Sequence, residues 1–291
     1  EIGIIGLGSM GTAIALNLRK KYKIFGYDVN QHNNIKSNKN FFFTKNLKEI
    51  FLKTNIFIII VLNENQCEKI LNTFMEIKKN AEISKKHTII NCTTVSPNWV
   101  ERIYKELKKN NFEYIDCPIS GGPKKAINGK LSLMLSSKKN IYKKNLPLLK
   151  HLGNNIYNLG NKIGTGSTVK IINNCLAGIQ ILSAAEAIML AKKEKINLKK
   201  LFEIVNNSSG QSWMFADRGK RMIEKKYIKP LSRLSIFKKD MKLANNLRKK
   251  HFINLPLTKV ALKMYKKGCE QGLENFDDAA VIRLLEKKAV N

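Results

Sequence analysis

Acidic residues are scarce in this chain: 22 Asp and Glu stand against 53 Lys and Arg over 291 residues, a formal charge of +31. Such an excess usually points to a polyanionic partner. Its distribution here does not. Lys-Lys pairs recur along the whole length, at 20–21, 78–79, 108–109, 138–139, 192–193, 225–226, 266–267 and 287–288, and they form no arm or block. The chain is also rich in Asn and Ile, so the charge reads as a solvated surface under compositional bias, with a basic nucleic-acid-associated protein as the remote alternative. The five cysteines, Cys67, Cys92, Cys117, Cys175 and Cys269, form no CxxC pair and do not cluster with the four histidines. No metal site is therefore expected, and unpaired cysteines fit a reducing cytoplasm. No apolar run of about 18 residues free of charge occurs, so no membrane span is expected. The chain opens directly on a strand-like run, so no signal peptide is expected either. No internal repeat or low-complexity linker interrupts it.

What is present is a hydrophobic fraction of 43%, enough for a packed core in two domains or one large one. Up to residue 160, short apolar runs alternate with helical patterns. The runs are 1–8, 23–28, 55–62, 87–92, 112–119, 130–136 and 155–160. The third, "NIFIIIVL", is apolar almost throughout, as a central parallel strand covered on both faces requires. The alternation predicts a doubly wound α/β domain. From Gly164 the pattern is helical only. One long segment from Ser167 to Lys195 carries a single charge, Glu186, between Cys175 and Ala191, which predicts a central helix, apolar nearly all round. Further helical patterns follow at 198–207, 213–224, 235–250, 257–270 and 277–288. The expected organisation is an α/β Rossmann dinucleotide-binding domain over 1–162, then an all-α domain over 163–291. So long an apolar helix in a modest domain calls for cover from another copy, and a homo-oligomer, dimer or tetramer, is expected.

"GLGSMG" places Gly6, Gly8 and Gly11 in G-x-G-x-x-G spacing, with Leu7, Ser9 and Met10 between them. Alone the motif is weak. Here it closes the first strand and opens a helix, and Asp28 ends the second strand about 20 residues on, which is the full dinucleotide-binding context. The glycines allow a tight turn and bring backbone N–H groups at the helix N-terminus towards a pyrophosphate. Asp28 can accept from both ribose hydroxyls and would repel a 2′-phosphate, so NAD is expected over NADP. A glycine turn without a nucleotide is the alternative. Further contacts are expected at strand ends: Leu62 and Asn63 after the third run, and Thr94, beside Thr93, after the fourth. The threonines could equally cap the helix starting near Pro97.

"DCPISGG" ends a strand in Ser120, Gly121 and Gly122, which offer a hydroxyl and consecutive N–H groups to a carboxylate; an ordinary turn between strands would look the same. In "GTGSTVKIINN", Lys170 lies in the first turns of the long helix. The helix dipole and burial both disfavour its charge, which makes such a lysine usable as a general acid or base. Snorkelling to solvent is the alternative. Asn174 lies four residues on, on the same face. Trp213 and Phe215 could line a cleft, but core filling is the simpler role.

These segments together resemble the β-hydroxyacid dehydrogenases, the family of 3-hydroxyisobutyrate dehydrogenase and tartronate semialdehyde reductase. The matching motifs are GLGSMG (6–11), DCPISGG (116–122), GTGSTVKIINN (164–174) and FKKDMKLA (237–244), in the family's order over nearly the whole chain. Within it, "GQSWMFADR" (210–218) and "DDAAVI" (277–282) are similar to the L-threonate dehydrogenase subgroup. The resemblance implies NAD-dependent oxidation of a small hydroxy acid, L-threonate, with Lys170 as the catalytic lysine. It also implies that Ser120, Gly121 and Gly122 hold the substrate carboxylate, that Asn174 orients the substrate and that Lys239 reaches the cofactor. 3-Hydroxyisobutyrate, tartronate semialdehyde by reduction, or another four-carbon sugar acid are the alternative substrates. The chain departs from the family pattern at Asn63 (often Pro), Asn91 (often Asp), Ser136 and Ser137 (often Gly-Gly), and Asn174, where glutamine is expected in threonate enzymes.

Overall fold

The computed structural model describes residues 1–30 and 39–286. Two compact units divide the chain, Glu1–Lys170 and Ile171–Asn291.

In the first unit, six short runs of β-branched and aromatic residues form a parallel sheet. They are β1 (Ile2–Ile5), β2 (Ile24–Tyr27), β3 (Phe41–Thr44), β4 (Ile56–Ile59), β5 (His87–Asn91) and β6 (Phe112–Asp116), in the order β3-β2-β1-β4-β5-β6. Successive side chains point to opposite faces. Ile4, Ile58, Ile90 and Ile115 therefore enter one core, and Ile5, Phe57, Ile59, Ile89 and Tyr114 the other. The crossover helices are α1 (Ser9–Leu18), α2 (Leu47–Lys53), α3 (Glu64–Asn80) and α4 (Pro97–Lys109). Caps fix where several begin: Asn46 accepts from the Lys48 and Glu49 amides, Asn63 from Gln66 and Ser96 from Trp99. The strand order reverses between β1 and β4, so the crevice beyond their carboxyl ends is where such a sheet places a ligand.

After β6 the chain forms a small second sheet, β7 (Ile119–Ser120), β8 (Ser132–Leu135) and β9 (Asn155–Asn158), with α5 (Gly122–Ile127) and α6 (Lys139–Leu152) between its strands. β7 and β8 are antiparallel, and β8 and β9 are parallel. Helix α7 (Thr165–Lys193) follows, and the division between the units falls inside it.

The second unit is helical: the body of α7, then α8 (Leu198–Asn206), α9 (Lys220–Ile223), α10 (Leu234–Lys250), α11 (Pro256–Glu270) and α12 (Arg283–Glu286). Its core gathers Ile181, Ala185, Ile188, Phe215, Phe237, Met241, Tyr265 and Val281.

The sequence-based picture needs three corrections. The strand β3 was not expected: "FFFT" is four residues long and shows no alternation beyond its own length. The patterns at 213–224 and 277–286 are not continuous α-helix, because a π-helical turn (Phe215–Gly219) precedes α9 and a 3-10 turn (Asp278–Ile282) precedes α12; residues 287 and 288 lie outside the described residues. Helix α7 is not buried all round, for Ile172, Leu176 and Leu190 are 60%, 58% and 66% exposed. By length and hydropathy alone α7 also passes the test for a membrane-crossing helix, the single one to do so among the described residues, with 44% of its most apolar window buried.

Candidate active site

The glycine turn is built by contacts that admit no side chain. Gly6 has φ +97°, and a Cβ there would lie 2.3 Å from the Ile60 carbonyl oxygen. A Cβ on Gly11 would lie 1.8 Å from the Gly6 oxygen, so α1 can rest against the turn only as glycine. Gly8 is different: nothing lies within 4 Å of its Cβ position, which faces open space at the head of α1. Two glycines thus shape the turn and the third leaves room for a bulky group beside helix N–H groups, which fits a dinucleotide pyrophosphate. Met10 packs on the core below, and Ser9 is exposed. Asp28, one residue beyond β2, accepts from the Leu7 amide through Oδ2 at 2.6 Å and from the Asn30 amide through Oδ1 at 2.9 Å.

At the neighbouring strand ends Leu62 is 51% exposed, and its amide donates to Gln66 Oε1 at 2.8 Å. Asn63 caps α3, a contact proline could not make at this position. Thr93 is a structural link, accepting from the Val61 amide at 3.0 Å, while Thr94 beside it is half-buried. The cap of α4 is neither threonine but Ser96. Asn91 is buried, donates to the Tyr114 hydroxyl at 3.0 Å and accepts from the Thr93 amide at 3.2 Å.

Ser120 ends β7, and Gly121 and Gly122 follow with φ of +133° and +73°. Nothing lies within 4 Å of the Gly122 Cβ position. Lys170 is 8% exposed, in the second turn of α7. The link between these two segments is Asp116, a residue not singled out in the sequence. It is the last residue of β6, fully buried, and accepts from the Ser167 amide at 2.9 Å, the Ser167 hydroxyl at 2.7 Å and the Ser136 hydroxyl at 3.3 Å. Burial pushes its carboxyl up to about 6, against the pull of the Ser167, Ser136 and Gly164 donors. Ser136 also accepts from the Gly166 amide at 3.3 Å, so this departure from the family pattern does reach the turn that carries Lys170.

In the second unit, Asn174 donates to Asp240 Oδ2 at 2.6 Å, and the Lys239 ammonium lies 3.1 Å from Asp240 Oδ1. Asp240 is 2% exposed and joins two residues expected to act on substrate and cofactor. Its signal in the sequence is its place inside FKKDMKLA, next to Lys239. Phe215 fills the core as expected, whereas Trp213 is 58% exposed. Among the described residues, no group of three or more His, Cys, Asp or Glu is placed to hold a metal ion.

Comparison with known proteins agrees with this geometry. Residues 1–160 match the family described as the NAD binding domain of 6-phosphogluconate dehydrogenase, and residues 164–285 the family described as NAD-binding of NADP-dependent 3-hydroxyisobutyrate dehydrogenase. The chain is 32% identical to an L-threonate dehydrogenase of Escherichia coli K12, over 98% of this chain and 94% of that protein. It is 26% identical to a 2-hydroxy-3-oxopropionate reductase of the same organism, over 99% and 98% of the two chains. A solved 3-hydroxyisobutyrate dehydrogenase from Salmonella typhimurium superposes with a TM-score of 0.85 at 30% identity, covering 97% of this chain and 99% of that one. With its NAD-binding sheet, its helical C-terminal region and this similarity along nearly its whole length, the chain belongs to the β-hydroxyacid dehydrogenase family, NAD-binding oxidoreductases acting on CH–OH groups of hydroxy acids.

Proposed function

We propose that the chain oxidises L-threonate at C2 to its 2-oxo acid, with NAD as acceptor and Lys170 as general base. The observation that carries the reading is a buried lysine at the head of α7, tied through Ser167 and Asp116 to the strand that runs into the Ser120–Gly121–Gly122 turn. Bound NAD supplies a hydride acceptor. The Ser120 hydroxyl and the N–H groups of Gly121 and Gly122 hold the substrate carboxylate. Lys170, neutral, takes the proton from the C2 hydroxyl, and its ammonium then stabilises the new carbonyl oxygen. Asn174 bonds a further hydroxyl, so an analogue lacking it leaves a polar group unpaired.

Gly6 to Gly11 and Asp28 hold the pyrophosphate and the adenosine ribose, Leu62, Asn63 and Thr94 line the cofactor at the adjoining strand ends, and Lys239 is the further cofactor residue that the family resemblance implies. A carboxylate at position 28 selects NAD over NADP. The L-threonate assignment is supported by the relatives of that name. Asn174, in place of the glutamine expected in threonate enzymes, favours a second reading, in which NAD oxidises 3-hydroxyisobutyrate or NADH reduces 2-hydroxy-3-oxopropionate. The exposed apolar positions of α7 support a homo-oligomer, and five cysteines in no disulfide support a reducing cytoplasm.

The test is NADH absorbance with purified protein, NAD and a panel of hydroxy acids, beside Lys170→Ala. Loss of turnover by about 10²–10⁴-fold with NAD still bound is expected. Turnover of another hydroxy acid in preference to threonate moves the substrate to the second reading. Joint loss of activity and NAD binding in Lys170→Ala makes the lysine structural.

A further inference from the structure

We propose that Asp116 is the positioning residue for Lys170: its buried carboxylate clamps the first turn of α7 onto the ends of β6 and β8, so that the lysine and the Ser120–Gly122 turn are held as one piece. The proposal rests on the reading of Lys170 as the general base.

The chain order sets up the arrangement. Asp116 stands four residues before Ser120, and Ser167 stands three before Lys170, on the same face of α7. Asp116 and Ser167 stand 51 positions apart in sequence, and the gap is closed by two hydrogen bonds of 2.9 and 2.7 Å to the two carboxylate oxygens. The first N–H groups of a helix have no partner within it. Here Asp116 takes the Ser167 amide and Ser136 Oγ takes the Gly166 amide, so α7 is capped by residues from two distant strand ends instead of by its own preceding residue. Asp116 and Ser136 are in turn joined by reciprocal backbone bonds of 3.1 and 2.8 Å. The approach is close: a Cβ on Gly166 would lie 2.4 Å from the Met134 oxygen and 3.1 Å from Asp116 Oδ2. Nothing larger than glycine lets the helix seat there.

Burial of Asp116 works against its ionised form, and three donors work for it. The groups facing Asp116 are the Ser136 and Ser167 hydroxyls, the Gly164 amide, and Tyr114 and Cys117, both kept neutral by upward shifts. With its carboxyl raised to about 6, the folded protein takes up a proton between roughly pH 4 and 6 that the unfolded chain does not. Stability therefore falls as pH rises through that window, and the loss is complete above it. The bonds to Ser167 fix the register and tilt of the turn from which Lys170 projects.

The experiment is a double-mutant cycle of Asp116→Asn and Lys170→Ala, with kcat, KM for the best hydroxy acid, NADH affinity by fluorescence and the melting temperature of each variant. Asp116→Asn is expected to lower kcat at least tenfold while NADH affinity stays within twofold. In the Lys170→Ala background it is expected to change the residual kcat less than twofold, because its effect passes through the lysine. If Asp116→Asn fails to fold, Ser167→Ala keeps the 2.9 Å amide bond and removes only the hydroxyl bond; the same cycle then applies, with a three- to tenfold fall expected. Full kcat in the Asp116 or Ser167 variant, or an equal loss in both backgrounds, overturns the proposal while leaving Lys170 its role. Full activity in Lys170→Ala overturns the reading beneath it.

Discussion

The Leu7 amide donates a 2.6 Å hydrogen bond to Asp28, so the carboxylate expected to bind a ribose also holds the glycine turn, 21 residues earlier in the chain. One side chain thereby ties the glycine turn to the end of β2. Asp28→Ala is expected to raise the KM for NAD by about 10–100-fold, the loss of one or two hydrogen bonds to a charged group at about 1.5–3 kcal/mol. Asp28→Ser is expected to narrow the preference for NAD over NADP. Steady-state kinetics with both nucleotides measures this, and an unchanged KM for NAD would remove Asp28 from the ribose site.

Asp240 offers a second test. Asp240→Ala leaves the Asn174 amide without its 2.6 Å acceptor and Lys239 without its ion pair. The expected result is a rise in KM for both the hydroxy acid and NAD, roughly tenfold each, since a hydrogen bond to a charged group contributes about 1.5–3 kcal/mol. Asp240→Asn keeps the shape and should affect NAD more than the acid, because it removes the charge that holds Lys239. Equal KM values in all three proteins would make Asp240 a plain core residue.

Stability should depend on pH through His87. Its ring lies 4.4 Å from Phe51 and 5.8 Å from Phe112, with the Lys78 ammonium 3.5 Å from Nδ1. Burial, then the charges of Lys78 and Lys85, pushes its pKa down to about 4. The unfolded chain therefore binds a proton here between about pH 6.5 and 4 that the folded protein refuses, and stability is lost as pH falls through that window. His87→Phe should remove an acid-dependent loss on the order of 2 kcal/mol. Asp116 and Asp278, both raised to about 6 by burial, act in the opposite sense, so the quantity to measure is the wild-type minus variant difference in urea denaturation from pH 7 to 4.5. A difference that does not change with pH would refute the assignment.

The parts of the molecule legible in the sequence are those fixed by local chemistry. Gly6, Gly8, Gly11 and Asp28 sit within one strand-turn-helix-strand unit, so their spacing alone carried the dinucleotide motif. The parity of the apolar runs gave five of the six strands of the large sheet. "FFFT" escaped because a four-residue edge strand is defined by its pairing with β2, not by its own pattern. Asp116 and Asp240 escaped for a related reason: their partners Ser167 and Asn174 are 51 and 66 residues away. An acid beside a recognised loop looks like any other polar residue until the fold closes the distance.

The division between the two units has a consequence for engineering. It falls between Lys170 and Ile171, within an unbroken helix, so the junction is hydrogen-bonded backbone with no loop to absorb length. Inserting or deleting one residue there would turn Asn174 by about 100° around the helix axis relative to Lys170. Chimaeras that exchange halves between relatives should therefore be joined ahead of Thr165, in the turn Gly160–Gly164, which keeps the helix and its register in one parent.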